Sequence, residues 1–227
     1  ALTNAYVDAQ LADTILIVGA NPYETQTNYF LNHMIRNLNG ESADLKGSTF
    51  PGEDAPSGRM IIVDPRRTIS VATAEAAAGK ENVLHLQIEP GTDIAVLNAI
   101  SRIVLERRWH DVAFIKQRTE WQTFEAYQRS SLGADRDASE FVRVAAELAG
   151  VDEKDLYKAA EWIAKPKKNK ARRRTLLHYE KGLIWGLKNY ENIASIIDLA
   201  LLSGNVGKPG TGVSRLGGHQ EGYVRPP

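Results

Sequence analysis

Three short apolar runs, Thr14–Val18, Met60–Val63 and Val83–Ile88, set the first limit on this chain, because each stops at a polar turn containing Gly or Pro. The turns are Gly19-Ala20-Asn21-Pro22, Asp64-Pro65-Arg66-Arg67-Thr68 and Glu89-Pro90-Gly91-Thr92-Asp93. Such runs, rich in β-branched residues and cut off abruptly, read as strands buried on both faces. Helical spacing follows the first and the third. Phe30, Leu31, Met34, Ile35 and Leu38 predict one helix within Glu24–Leu38, and Ile94, Leu97, Ile100, Ile103 and Val104 predict another. Strand, polar turn and helix in repetition predict an α/β fold with a doubly wound, mainly parallel, Rossmann-like sheet, whose ligand lies beyond the carboxyl ends of the strands.

The stretch from Asp111 to Ala164 reads as helical throughout. Trp121, Phe124 and Tyr127 mark one face, Phe141, Val144, Ala145 and Leu148 a second, and Leu156, Ala159, Ala160 and Ile163 a third. A fourth strand at Arg174–His178 resumes the sheet, and Ile193, Ile196, Ile197, Ala200 and Leu201 predict the helix after it. Between Ser203 and Gly222 periodicity gives way to seven glycines. The expected organisation is an α/β nucleotide-binding half over residues 1–110, a helical insertion over 111–173 and a return of the α/β unit over 174–227. Flanking domains are expected to be missing at both ends.

Charge and cysteine content exclude several function classes. Twenty-eight basic and 28 acidic side chains cancel, so no global field favours nucleic acid. No apolar run approaches a membrane span of about 20 residues. With no cysteine, the segment can hold neither disulfides nor Cys-ligated zinc or iron–sulfur clusters. His33, His85, His110 and His178 lack metal-like spacing and read as packing residues, so no metal ligand is assigned. Seven of the ten residues from Lys165 to Arg174 are basic, a density that reads as a solvated loop before a strand.

Two constellations carry chemistry. The three strand ends should converge on one crevice, where glycine admits backbone amides to a pyrophosphate, Arg66 or Arg67 neutralises it, and Asp64 or Asp93 accepts hydrogen bonds from ribose or a guanine edge. Helix capping by the same residues is the plain alternative. The Gly-x-Gly-x-x-Gly fingerprint is absent after the first strand, against an ordinary NAD site. The second constellation is the glycine-rich tail with Lys208, Arg215 and His219, which suggests backbone wrapped around an anion; the alternative is a flexible terminus.

The ordered set Val18-Gly19-Ala20-Asn21-Pro22, Val63-Asp64-Pro65-Arg66-Arg67-Thr68, Pro90-Gly91-Thr92-Asp93 and Leu202-Ser203-Gly204-Asn205-Val206-Gly207-Lys208-Pro209-Gly210 resembles the molybdopterin-guanine-dinucleotide oxidoreductases of the dimethyl sulfoxide reductase superfamily. The stretch Ser214-Arg215-Leu216-Gly217-Gly218-His219-Gln220-Glu221-Gly222 and the early Asn-Pro-Tyr-Glu-Thr-Gln are similar to the arsenite oxidase catalytic subunits within it. That resemblance implies a molybdenum bis(molybdopterin guanine dinucleotide) centre. Cofactor contacts are implied at Gly19, Asn21, Glu24, Asp64, Arg66, Thr68, Gly91, Asp93, Lys181, Gly204, Asn205, Gly207 and Gly218, with Arg215 and His219 lining the arsenite pocket. It further implies oxygen-atom transfer to arsenite and an iron–sulfur cluster held by a missing N-terminal segment. Electrons would leave through a Rieske-type small subunit to a cytochrome c or azurin-like copper protein, in the periplasm. Other readings are a molybdopterin oxidoreductase of different substrate and a non-catalytic nucleotide-binding scaffold. An isolated segment of this kind is expected to be poorly stable.

Overall fold

The computed structural model describes residues 5–53 and 56–217. Five strands form one all-parallel sheet in the order β3-β2-β1-β4-β5: β1 Thr14–Val18, β2 Arg59–Val63, β3 Val83–Leu86, β4 Thr175–Tyr179 and β5 Gly212–Arg215. Every residue of β1 is buried, as its central place requires. Alternate side chains serve two cores. Leu16, Val18, Ile61, Val63 and Leu177 point into one, and Ile15, Ile17, Met60, Ile62 and Leu176 into the other.

Helices cover both faces, as a doubly wound sheet demands. The second core is closed by Phe30, Met34 and Leu38 and by α1, Ile69–Ala78. The first is closed by α2 (Asp93–Glu106) and α7 (Asn189–Ser203), together with α3 (Val112–Arg118), α4 (Trp121–Ser130), α5 (Ala138–Ala149) and α6 (Glu153–Ala164). Helix α2 buries residues around almost its whole circumference, because α5, α6, α7 and the sheet all pack on it. Residues 112–164 therefore share the sheet's core.

The expected helix over Glu24–Leu38 is broken. Gln26 leaves helical backbone at φ −135°, and Phe30–Ile35 winds as a π-helix. The break has a tertiary cause: the Gln26 side-chain amide donates to the Leu216 carbonyl at 2.5 Å. Helix α5 also departs from expectation. It turns Val142, Ala145, Ala146 and Ala149 inward and leaves Val144 and Leu148 exposed, since the alanine stripe lets α5 approach α2 closely.

In the basic stretch before β4, Lys165, Lys168 and Lys170 are exposed as expected, whereas Lys167, Arg172 and Arg174 are held by partners. Lys167 Nζ lies 2.9 Å from Asp13, Arg174 grips Glu53 at 2.7 and 3.0 Å, and Arg172 donates to the Trp109 and His110 carbonyls. Glu53 lies in the stretch ahead of β2, so these pairs fasten that stretch to the start of β4.

His178 is fully buried in β4. Its Nε2 lies 3.1 Å from the Tyr29 hydroxyl, and its Nδ1 faces Ser214 Oγ at 2.9 Å. Burial pulls its pKa down to about 4, so the folded chain holds it neutral. The unfolded chain binds that proton near pH 6.5, so stability contributed by neutral His178 is present above that value and is lost as the pH falls towards 4. The loss should be of the order of 3 kcal/mol at 1.36 kcal/mol per unit. His178→Gln should flatten the fall in denaturation midpoint between pH 7 and 4.5; an unchanged fall would assign acid sensitivity elsewhere.

Candidate functional site

The winding direction reverses between β1 and β4, and their carboxyl ends meet tightly. Gly19 sits at φ +61°, its carbonyl accepts from the Gly182 N–H at 3.0 Å, and a Cβ at Gly19 would lie 2.5 Å from the Leu183 nitrogen. A Cβ at Gly182 would lie 2.7 Å from Gly19 Cα. The Gly19 Cβ position is thus filled by the Gly182 loop, and the pair clamps the switch point, where open α/β sheets bind ligands.

On one side of the clamp stand the residues that follow β1 and β2. Asn21 donates to Glu24 at 2.7 Å and accepts from Ser70 Oγ at 2.6 Å, which ties the first strand end to α1. Asp64 is buried and accepts from the Arg66 backbone N–H at 2.8 Å, forming an Asx turn that directs the exposed Arg66 side chain outward. Arg67 is taken up by Glu75 in a bidentate pair. Thr68 is buried and its Oγ1 has no partner.

On the other side a cleft of about 580 Å³ brings Gly91, Asp93 and Lys181 together, with Trp185, Lys188 and Asn192 on its walls. Asp93 begins α2 and is buried; burial pushes its carboxyl pKa up, and the charge of Asp64 adds to the rise. Gly91, at φ +86°, faces open space. Lys181 Nζ lies 5.0 Å from the centre of the largely exposed Trp185 ring.

Strand β5 places Arg215 at the same edge. Its guanidinium donates from Nη2 to Glu180 Oε1 at 2.9 Å and from Nε at 3.2 Å. Glu180, directly after β4, is 8% exposed, and its Oε2 is buried without a partner. Glu180 is absent from the three strand ends singled out in the sequence. The same strand-end rule applied to β4 would have located it.

Three expected cofactor positions are not brought here. Gly204 caps α7 in the left-handed conformation, and Asn205 Oδ1 accepts from the Thr175 N–H at the start of β4, which is the amino edge of the sheet. Gly207 belongs to the same return, which reaches Leu11 and Ala12 ahead of β1 through Gly210. This segment turns the chain from α7 into β5. Gly218 and His219 lie outside the described residues. Among the described residues no group of three His, Asp or Glu side chains could hold a metal ion, and no helix is long and apolar enough to cross a membrane.

A model of the molybdopterin oxidoreductase family matches residues 1–223. The chain belongs to that family. The arsenite oxidase subunit AioA of Herminiimonas arsenicoxydans is 49% identical over 226 residues, covering 100% of this chain and 26% of that protein. The iodate reductase subunit IdrA of Denitromonas iodatirespirans is 32% identical, covering 96% and 24%. Acetylene hydratase from Pelobacter acetylenicus superposes with a TM-score of 0.53 at 14% identity, over 88% of this chain and 24% of that one, and supports the fold alone. This molybdopterin oxidoreductase chain spans about a quarter of the length of the curated relatives it matches.

The lining of the cleft suits a pterin-nucleotide cofactor. The buried carboxylate of Asp93 can accept from the N–H groups of a pterin or guanine edge, the open space at Gly91 admits a ligand close to the backbone, and Lys181 and Lys188 supply charge for phosphates.

Proposed function

We propose that the chain is part of the catalytic subunit of an arsenite oxidase, which converts arsenite to arsenate at a molybdenum bis(molybdopterin guanine dinucleotide) centre. The observation that supports this reading is that Arg215, the one described residue of the arsenite pair implied by the resemblance, ends β5 at the carboxyl edge of the sheet, next to β4 of the switch point. Identity of 49% to an arsenite oxidase subunit along the whole chain supports it. The bound molybdenum cofactor supplies oxygen-atom transfer and takes up two electrons.

The residues of the chain bind, orient and polarise. Asp93 accepts from the guanine edge, Asp64 and Asn21 take ribose or phosphate-proximal hydrogen bonds, and Arg66 and Lys181 neutralise phosphate. Arg215 donates to the arsenic hydroxyls and stabilises the negative charge that develops towards arsenate; His219 is its partner in the pocket. An iron–sulfur cluster bound by an N-terminal segment, a Rieske-type small subunit and a cytochrome c or azurin-like acceptor complete the electron path, in the periplasm.

The test is direct. Full-length protein should contain molybdenum and guanine nucleotide and should reduce a dye on addition of arsenite. Iodate-dependent dye oxidation without arsenite activity would instead favour the chemistry named for the relative at 32% identity, and absence of both molybdenum and nucleotide would leave a scaffold.

The raised pKa of Asp93 adds a pH dependence. A guanine N–H needs the charged carboxylate, so guanine-nucleotide affinity should weaken with falling pH earlier than an ordinary carboxylate would dictate. Stability of the ligand-free fold moves oppositely, because a pKa raised on folding contributes most at low pH and loses its contribution as the pH rises through the folded value. Asp93→Asn should therefore raise the ligand-free thermal midpoint at pH 7 while weakening guanine-nucleotide binding about tenfold, the worth of one charged hydrogen bond. Equal affinity in the variant would remove Asp93 from the guanine edge.

A further inference from the structure

Arsenous acid is uncharged at neutral pH, whereas arsenate is an anion. An arginine with its full charge open to the pocket would hold the product more strongly than the substrate. The structure does not present Arg215 that way. Its guanidinium is paired with Glu180 at 2.9 Å, and the carboxylate is the more buried partner, with side-chain exposures of 10% for Glu180 and 27% for Arg215.

Glu180 is fixed independently of Arg215. Its backbone N–H donates to the Val18 carbonyl, its carbonyl accepts from Leu183 N–H, and the Gly19–Gly182 clamp holds the loop that follows it. Strand pairing of Tyr179 with Arg215 then sets the guanidinium beside it. A buried carboxylate with one oxygen lacking any donor is costly to keep, so its retention at this edge calls for a function.

We propose that Glu180 is a positioning and specificity-determining residue: it aims Arg215 and offsets its charge, so that the pocket admits a neutral oxyacid and releases the anionic product. This inference rests on the reading of Arg215 as a substrate-pocket residue. Glu180 holds the guanidinium through Nε and Nη2, and its negative charge offsets within the protein the positive charge that would trap an anion. The pair acts on the difference between substrate and product, since the same neighbouring carboxylate repels an anion and is indifferent to a neutral ligand.

The experiment uses the full-length, molybdenum-loaded enzyme and two readouts: the arsenate dissociation constant by calorimetry and the KM for arsenite. In Glu180→Gln, which keeps the acceptor oxygen and removes the charge, arsenate should bind about tenfold more tightly. The KM for arsenite should shift by no more than about threefold. Arsenate affinity within about twofold of the parent would overturn the proposal. So would tightening that persists in Glu180→Gln/Arg215→Ala, because the effect must pass through Arg215. If Glu180→Gln loses its molybdenum, Glu180→Asp is measured in its place, with a smaller tightening of about threefold expected and none overturning the proposal. Arg215→Ala alone separates the two levels. Unchanged arsenate affinity and arsenite turnover in that variant would remove the substrate reading and this inference with it, whereas impaired turnover beside an inert Glu180→Gln would remove this inference only.

Discussion

Arg215→Ala in the full-length enzyme is expected to lower arsenite turnover by roughly 10²–10³-fold while leaving molybdenum content unchanged. The magnitude is that of deleting one preorganised donor to a developing oxyanion. The separation between turnover and cofactor content follows from placement. Arg215 is the last residue of an edge strand and pairs with Glu180, whereas the proposed cofactor residues Asp64, Asp93 and Lys181 sit on three other loops. Arg215→Lys should recover only a fraction, since an ammonium cannot reproduce the planar fork that serves Glu180 and a substrate hydroxyl together. Metal analysis and steady-state arsenite oxidation check both statements, and full turnover in Arg215→Ala would take this residue out of the pocket.

Gly19→Ala should be among the most destabilising single changes available. Two costs add. The left-handed backbone at φ +61° is worth about 1–2 kcal/mol against a Cβ, and the Cβ itself would stand 2.5 Å from the Leu183 nitrogen, so that loop must move at a further cost of about 1–3 kcal/mol. A total of about 3 kcal/mol corresponds to a fall in thermal midpoint of roughly 6–12 °C for a domain of this size. Gly91→Ala is the control: the glycine has φ +86° but open space around its Cβ position, so only the conformational cost applies. Thermal melts of the two variants side by side should differ by about twofold in midpoint shift. Equal shifts would mean that the Gly19–Gly182 contact yields without cost.

Several parts of the molecule were legible in the sequence because their signals are local. TILIV reads as a doubly buried strand and occupies the centre of the sheet. The polar turns after the first three strands lie at the carboxyl edge of the sheet, as strand ends must, and Asp64 and Asp93 are close enough for the charge of one to raise the pKa of the other, although only Gly91 and Asp93 line the cleft. Other parts were not legible. Gly212-Val213-Ser214-Arg215 has no apolar run to mark it, and becomes a strand only by pairing along β4. Gln26 breaks a helix that its neighbours favour, because its amide is drawn to Leu216, 190 residues away. Gly204 and Asn205 lie beside Arg215 in the sequence but at the opposite edge of the sheet, since a parallel strand carries its two ends to different edges. Residues 218–227 lie outside the described residues, so the arsenite pair is represented in the structure by Arg215 alone.

The α/β class, the central strands, the helix periods and the polar strand ends follow from backbone periodicity and from residues a few positions apart, and so are written locally in the chain. Which turns share a cleft, that Gly182 fills the space at Gly19, and that Arg215 meets Glu180 emerge with the packed sheet alone. Those outcomes depend on strand order and register, which bring residues 35 to more than 160 positions apart into contact, and no local pattern encodes the distance between two edges of a sheet.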